Sequence, residues 1–438
     1  MSNATSDRPN ILVFFTDQQR WDTVGAYGNP MGLTPHLDQM AEEGVRFELA
    51  FTAQPVCGPA RCLLQTGMYP TVHGCFRNGI RLPEDATTLA HRFKDAGYEV
   101  GYIGKWHLGE TGTEPVTDDR RGGYEDYWLA ADLLEFTSHP YDGGYYDADD
   151  QFVPFEGYRV DSQTDHVLEY LRTRDGQRPF FLFLSYLEPH HQNDYNRYVA
   201  PEGYAERYQD YDPPQDLVGH EGDWEENLPD YYGICASLDE NLGRIRAELE
   251  RLGMADNTVI LFTSDHGSHF RTRNAEYKRS CHEACLRIPM IAWGPGFEGG
   301  KVVEELVSLI DVPPTLLEAG GIEPPVAFHG RSLMPLVRGE AIAWPQEVFV
   351  QISESQVGRS IRTRRWKYCV DAPDRHGGRN ADSPVYVEQY LYDLDNDPHE
   401  QNNLVGDPAY RAVADQLAHI LVQRMVAAGE EAPEIIKR

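Results

Sequence analysis

Four short apolar runs, each ending in a knot of polar and ionisable residues, set the narrowest limit on how this chain can fold. Residues 11–15 lead into Thr16-Asp17-Gln18, and residues 100–104 into Lys105-Trp106-His107. Residues 180–184 lead into Glu188-Pro189-His190-His191, and residues 259–262 into Ser264-Asp265-His266-Gly267. Apolar runs without alternation fit strands covered on both faces, as in parallel sheets. Helical patterns fall between them. Thr34 can cap a helix opening at Pro35, with Leu37, Met40 and Ala41 on one face and Gly44 as a stop. A second runs from Thr88 through Leu89, Phe93 and Ala96 to Gly97. The expected fold is α/β: a large, mostly parallel, doubly wound sheet flanked by helices. Ligands bind beyond the carboxyl ends of such strands, so the four polar knots should meet at one sheet edge.

A chain of 438 residues has room for two or three domains. We expect a catalytic α/β domain over 1–340 and a smaller α+β subdomain over 341–438. The latter should carry an antiparallel sheet, with strands at 347–352 and 360–370, and a final helix over 408–427 capped by Asp407. Residues 111–165, rich in Gly, Asp and Tyr, and 192–232, rich in Tyr, Pro and acids, read as long insertions over the site.

The formal charge of -31, from 70 acidic and 39 basic residues, repels nucleic acid and anionic membranes, so neither is expected as a partner. An anionic ligand would need a local basic pocket working against that field. The first eight residues are polar, and no apolar run approaches the roughly 20 residues that span a bilayer. Seven cysteines at irregular spacings argue against a disulfide framework, and a cytoplasmic setting is the expectation, although a chain that had lost a leader would read the same. Drawing Cys57, Cys62, Cys281 and Cys285 together as a zinc site fails on spacing. Cys62, Cys75, Cys235 and Cys369 read as core residues.

The segment Val56-Cys57-Gly58-Pro59-Ala60-Arg61, continued by Leu64-Gln65-Thr66-Gly67-Met68-Tyr69-Pro70, carries the most chemistry. Pro59 suits the first turn of a helix, which puts Cys57 just outside its start, where unpaired N–H groups favour an anion. Arg61, one turn on, can reach back with a planar fork suited to oxyanions. Asp17 and Asp265-His266 at two strand ends imply a metal, and oxygen-rich donors make Ca²⁺ the first choice.

C-x-P-x-R followed by a T-G-x-Y-P-like stretch resembles the sulfatase signature, in the alkaline-phosphatase-like superfamily. The resemblance implies that a dedicated maturation enzyme oxidises Cys57 to formylglycine. Gly104-Lys105-Trp106-His107-Leu108-Gly109 is similar to the family's G-K-W-H-x-G motif, and residues 390–404 are similar to its C-terminal segment. By the same resemblance, His190 faces the leaving oxygen, with His191 able to exchange roles, and Lys278 follows the second metal cluster. Two positions depart from the family pattern. Gln18 stands where a second aspartate is usual, and His266 where many relatives have Asn. Metal ligands would then be Asp17, Gln18, residue 57, Asp265 and His266, and the imidazole brings Mg²⁺ or Mn²⁺ into consideration.

The implied reaction is hydrolysis of a sulfate ester. A hydroxyl of hydrated formylglycine attacks sulfur, Arg61 and the metal favour its deprotonated form, and Lys105 and Lys278 hold the sulfuryl oxygens. His190 protonates the leaving alcohol, and His107 takes the proton whose loss expels sulfate. Arg271, Arg273, Arg279 and His282 flank the second metal cluster and could read a further anionic group. Trp106, Tyr145, Tyr146 and Tyr195 could stack on a sugar or aryl ring. A small-molecule or oligosaccharide sulfate, a carbohydrate ester by preference, is therefore the expected substrate. Two alternatives stand beside it. One is a phosphonate monoester or phosphodiester hydrolase, whose members the Asp-Gln and Asp-His pairs also resemble. The other is a binding protein in which Cys57 stays a thiol.

Overall fold

The computed structural model describes residues 8–438; the polar segment read above at residues 1–7 lies outside them. The four apolar runs become β1 (Asn10–Thr16), β3 (Glu99–Lys105), β8 (Phe180–Ser185) and β9 (Thr258–Ser264), which lie side by side. β1 pairs in parallel with both β8 and β9, and β3 in parallel with β8. Their carboxyl ends therefore share one edge. On β1, Ile11, Val13 and Phe15 enter the core on one face, while Leu12 and Phe14 enter the core on the other. That two-sided burial is why the runs do not alternate.

Helices Cys57–Thr66, Leu89–Asp95 and Val312–Ala319 cover the first face, and Pro35–Glu43, Arg159–Thr173 and Trp224–Arg251 the second. Thr88 caps its helix, accepting from the His91 amide while the His91 ring accepts from the Thr88 amide. Thr34 precedes its helix without capping it: its hydroxyl donates to Asp38. The cap comes instead from Asp239, which accepts from the amides of His36 (3.0 Å) and Leu37 (2.7 Å).

The remaining strands of this sheet are β2 (Val45–Phe51), β4 (Tyr127–Ala131), β5 (Ser138–His139), β6 (Asp142–Asp147), β7 (Phe152–Pro154), β10 (Met290–Trp293) and β11 (Lys301–Ser308). The order is β11-β2-β10-β9-β1-β8-β3-β4-β6-β5, with β7 on β6. Residues 111–165 thus differ from the expected lid, because β4 to β7 extend the sheet itself beside β3. The expected insertion at 192–232 also ends early, since its last residues are the first turns of helix Trp224–Arg251.

The second sheet holds β12 (Glu347–Ile352), β13 (Gly358–Thr363), β14 (Trp366–Asp371), β15 (Val385–Asp393) and β16 (Glu434–Ile436). The single strand expected at 360–370 is two, folded back at Arg364 and Arg365 so that Arg362 pairs with Lys367. The turn is made by two arginines, with neither Gly nor Pro to mark it in the sequence. β16 joins in parallel, so the sheet is antiparallel only through β15. Helix Arg411–Ala427 packs Ala414, Leu417, Leu421 and Met425 against it, and Asp407 accepts from the Ala409 amide just ahead.

Candidate active site

The site is assembled at the carboxyl edge of β9, β1, β8 and β3, where each strand hands over its polar knot. Cys57 is the first residue of helix Cys57–Thr66 rather than lying outside it, and it is buried. Its sulfur lies 3.4 Å from Asp17 Oδ1, 3.4 Å from His266 Nε2 and 2.7 Å from Lys278 Nζ. Burial, followed by the charge of Asp17, pushes the Cys57 thiol up to about 12. The helix start is fixed by Asn78, whose Oδ1 accepts from the Gly58 amide at 2.8 Å.

Arg61 does not reach back to residue 57 as expected. Its Nη2 lies 3.0 Å from Asp17 Oδ2, and Nη1 donates to the Lys105 carbonyl (2.8 Å) and Ser185 Oγ (2.6 Å). It ties the Asp17 carboxylate to the ends of β3 and β8. Lys105 Nζ sits 2.9 Å from Asp17 and 3.3 Å from Glu135. Burial opposes its charge, but these two carboxylates raise it, so it stays an ammonium. Burial would likewise neutralise Asp17, yet the cationic Lys105, Arg61 and Lys278 together hold it well below the usual carboxylate range.

Asp265 behaves oppositely. Burial and the neighbouring Asp17 push it up to about 7. Its Oδ1 accepts from the Gln18 and His266 amides, while its buried Oδ2 has no hydrogen-bond partner among the described residues. His266 Nδ1 bonds the Gly267 carbonyl at 2.8 Å, which leaves the Nε2 lone pair facing the carboxylates, 3.5 Å from Asp265 and 3.8 Å from Asp17. Donor atoms of Asp17, Cys57, Asp265 and His266 all lie within 4.8 Å of one another. Two converging carboxylates, an orphaned carboxylate oxygen and a tautomer-fixed imidazole fit a divalent cation. Gln18 does not join this set. Its amide donates to Tyr198 (2.5 Å) and Ser268 (3.1 Å), and its carbonyl oxygen faces the His191 amide at 3.4 Å.

His190 Nδ1 bonds the His191 carbonyl at 2.6 Å, so Nε2 is the free nitrogen, 3.3 Å from Lys278 Nζ and 3.4 Å from the Tyr277 hydroxyl. Burial keeps His190 neutral, with the nearby Lys278 acting in the same direction against Asp17. The His191 ring instead stacks on Tyr277. His107 adopts a positive φ of 60° just past β3, and its buried Nδ1 has no partner among the described residues. Burial and Lys105 pull its pKa down to about 3.

The residues expected to read a second anionic group are spent elsewhere. Arg273 donates to the carbonyls of His399 and Glu400, and buried His282 bonds the Tyr392 hydroxyl. Arg279 pairs with Glu354 at 2.5 Å, and Arg271 with Asp223 and Asn196. Trp106 and Tyr145 are wholly buried core residues and cannot stack on a ligand, and the Tyr146 hydroxyl is bonded to Thr113. Tyr195 is half exposed and stacks on His139. Glu135, Asn78, Tyr277 and Ser185 were missed from sequence. Ser185 ends β8 and was open to the strand-end rule; the others sit on segments that carry no local signal.

A buried nucleophile position, two lysines, two neutral histidines and a carboxylate–imidazole cluster at one α/β sheet edge define a hydrolase of anionic esters. The family model "Sulfatase" matches residues 9–322, and "N-sulphoglucosamine sulphohydrolase, C-terminal" matches residues 276–427. The chain belongs to the sulfatase family and is a sulfuric ester hydrolase. It is 30% identical to an ulvan-active sulfatase of Formosa agariphila, covering 97% of this chain and 82% of that protein. The solved structure of BT4656 in complex with its substrate D-glucosamine-2-N,6-O-disulfate superposes with a TM-score of 0.83 at 22% identity, covering 98% and 99% of the two chains. A phosphonate monoester hydrolase of Agrobacterium radiobacter shares the fold, with a TM-score of 0.75 at 22% identity and 96% of each chain covered.

Proposed function

We propose that this protein hydrolyses a carbohydrate sulfate ester, with residue 57 matured from cysteine to formylglycine and a divalent cation held by Asp17, Asp265, His266 and an oxygen of residue 57. The observation that carries the proposal is the meeting of the Cys57 sulfur with Asp17, His266 and Lys278 inside 3.4 Å. The thiol sulfur occupies the place of the formylglycine oxygen. The carboxylates favour Ca²⁺, and His266 extends the choice to Mg²⁺ or Mn²⁺.

When bound, the cation and the hydrated aldehyde supply a hydroxyl nucleophile near neutral pH and a second hydroxyl through which sulfate is released. The chain's own groups do the rest. Lys105 and Lys278 place fixed positive charge where sulfuryl oxygens would lie, in a water-poor site where it counts most. Arg61 keeps Asp17 aligned. His190 is neutral before substrate arrives, and an ester anion brought beside it favours the charged form. It thus gains a proton on binding and gives it from Nε2 to the departing alcohol oxygen. His107, with a free Nδ1, accepts the proton lost as sulfate leaves. The carbohydrate reading draws support from the sugar disulfate bound by BT4656.

Mass spectrometry of the Cys57 peptide from the native source, run beside assays on sulfate and phosphonate esters of one alcohol, tests the proposal. An aldehyde at 57 and a preference for the sulfate ester are expected. A thiol throughout the native protein sinks it. Preference for the phosphonate would transfer the site to the second reading, against which Lys105 and His107 argue and His266 does not discriminate.

A further inference from the structure

Sequence reading left Cys62 and Cys75 as core residues, but the fold brings them together around His73. We propose that Cys62, His73 and Cys75 form a second metal site, for Zn²⁺, on the far side of the helix that carries residue 57. Cys62 lies five residues after Cys57 on helix Cys57–Thr66, about 140° round its axis. It therefore faces away from the first cluster. His73 ends the short helix Pro70–His73, and Cys75 follows one glycine later.

Cys62 Sγ lies 3.2 Å from His73 Nδ1, and donor atoms of all three residues lie within 4.8 Å of one another. A tetrahedral Zn²⁺, with bonds of about 2.3 Å to sulfur and about 2.0 Å to nitrogen, needs donors about 3.5–3.8 Å apart. Small side-chain rotations reach that spacing. Among the described residues, the His73 ring bonds Cys62 and Cys75 alone, and its buried Nε2 has no partner. The ring has no carboxylate or carbonyl to hold it in place. Both cysteines are buried and free, and the Cys75 thiol would give up its 2.9 Å bond to the Arg81 carbonyl on binding. A cavity of about 410 Å³, lined in part by Met68, Val72, His73 and Phe328, lies against the imidazole. Two thiolates and one imidazole are a donor set for a soft or borderline cation, unlike the oxygen-rich first cluster. An ion here would tie helix Cys57–Thr66 to the segment after it and so brace the position of residue 57.

Co²⁺ as a spectroscopic probe, with Zn²⁺ as competitor, tests this in the reduced, chelator-treated full chain. A Cys57→Ala background removes the thiol of the first cluster. One equivalent of Co²⁺ giving a thiolate charge-transfer band, bleached by one equivalent of Zn²⁺, is expected. Adding Cys75→Ser should abolish the band, and adding His73→Ala should weaken Zn²⁺ binding at least tenfold while far-UV circular dichroism stays unchanged. If either second variant fails to fold, the band in the Cys57→Ala protein still decides. No band, a band that survives Cys75→Ser, or a Cys62–Cys75 disulfide in the protein as isolated overturns the proposal.

Discussion

Among the charged side chains at the sheet edge, Lys278 is the group with the least redundancy. Lys105 is shared by Asp17 and Glu135, whereas Lys278 faces residue 57 and the His190 ring. Truncating it removes a fixed cation at a desolvated site without exposing a paired carboxylate. Lys278→Ala should lower kcat by about 10²–10³-fold, the size of one missing electrostatic donor. Steady-state kinetics on matured enzyme measures this, and a kcat within threefold of the parent would exclude Lys278 from contact with the sulfuryl group.

Strands and helices place these groups through backbone features with little tolerance. Gly104, next to last in β3, has a φ of 107°, and a Cβ there would lie 2.0 Å from the Ser185 carbonyl oxygen. Gly104→Ala must push β3 away from β8 just where Lys105 emerges. A loss of about 2–4 kcal/mol is expected, with activity falling in the protein that still folds. Thermal unfolding measures the first, and an unchanged Tm would show that the two strands separate freely here.

Helix Pro35–Glu43 offers a prediction in pH. Its amide cap, Asp239, is pushed up to about 7 by burial in spite of its bonds to His36 and Leu37. A carboxyl raised in the folded state holds its proton there after the unfolded chain has released it. Its contribution therefore declines as pH rises from about 4 to about 7 and is constant above. Tm recorded across that window should fall more steeply for the parent than for Asp239→Asn. Parallel curves would mean that Asp239 ionises freely in the fold.

Across the protein, the two sheets meet through a buried ionic joint. Glu283, close behind the metal loop, pairs with Lys367 (2.8 Å) and Arg362 (3.2 Å) of the second sheet, and Lys367 also binds Glu400 at 2.5 Å. Phe51, Leu286 and Leu306 also form one apolar cluster with Val348, Val350 and Ile352 of the second sheet. Removing the central cation leaves buried carboxylates short of a partner. Lys367→Met should cost about 3–5 kcal/mol. Urea unfolding of the variant is the measure, and a parent-like midpoint would show that Arg362 alone suffices.

Legibility followed range along the chain. The strands at 11–15, 100–104, 180–184 and 259–262 were readable because burial on both faces leaves unbroken apolar runs, and the knots after them marked a common edge. Strand position brought Asp17, Lys105, His190 and Asp265 to one edge, and the family resemblance singled out Lys105 and His190 there. Glu135, Asn78 and Tyr277 come from segments with no such periodicity. Their place depends on where loops and short helices settle. Arg61 was readable as a residue near the site but not as the clamp on Asp17, because the direction of a long side chain depends on neighbours 44 residues away in sequence.

Local chemistry along the chain was enough to specify a parallel α/β sheet, its liganded edge and the cysteine presented at a helix start, because these rest on periodicity and on contacts between near neighbours. Packing alone settled which carboxyl is pushed up and which is held down, which arginines are paired elsewhere, and that Cys62, His73 and Cys75 converge. Those properties depend on burial and on distances between segments far apart in sequence, and no spacing along the chain encodes either.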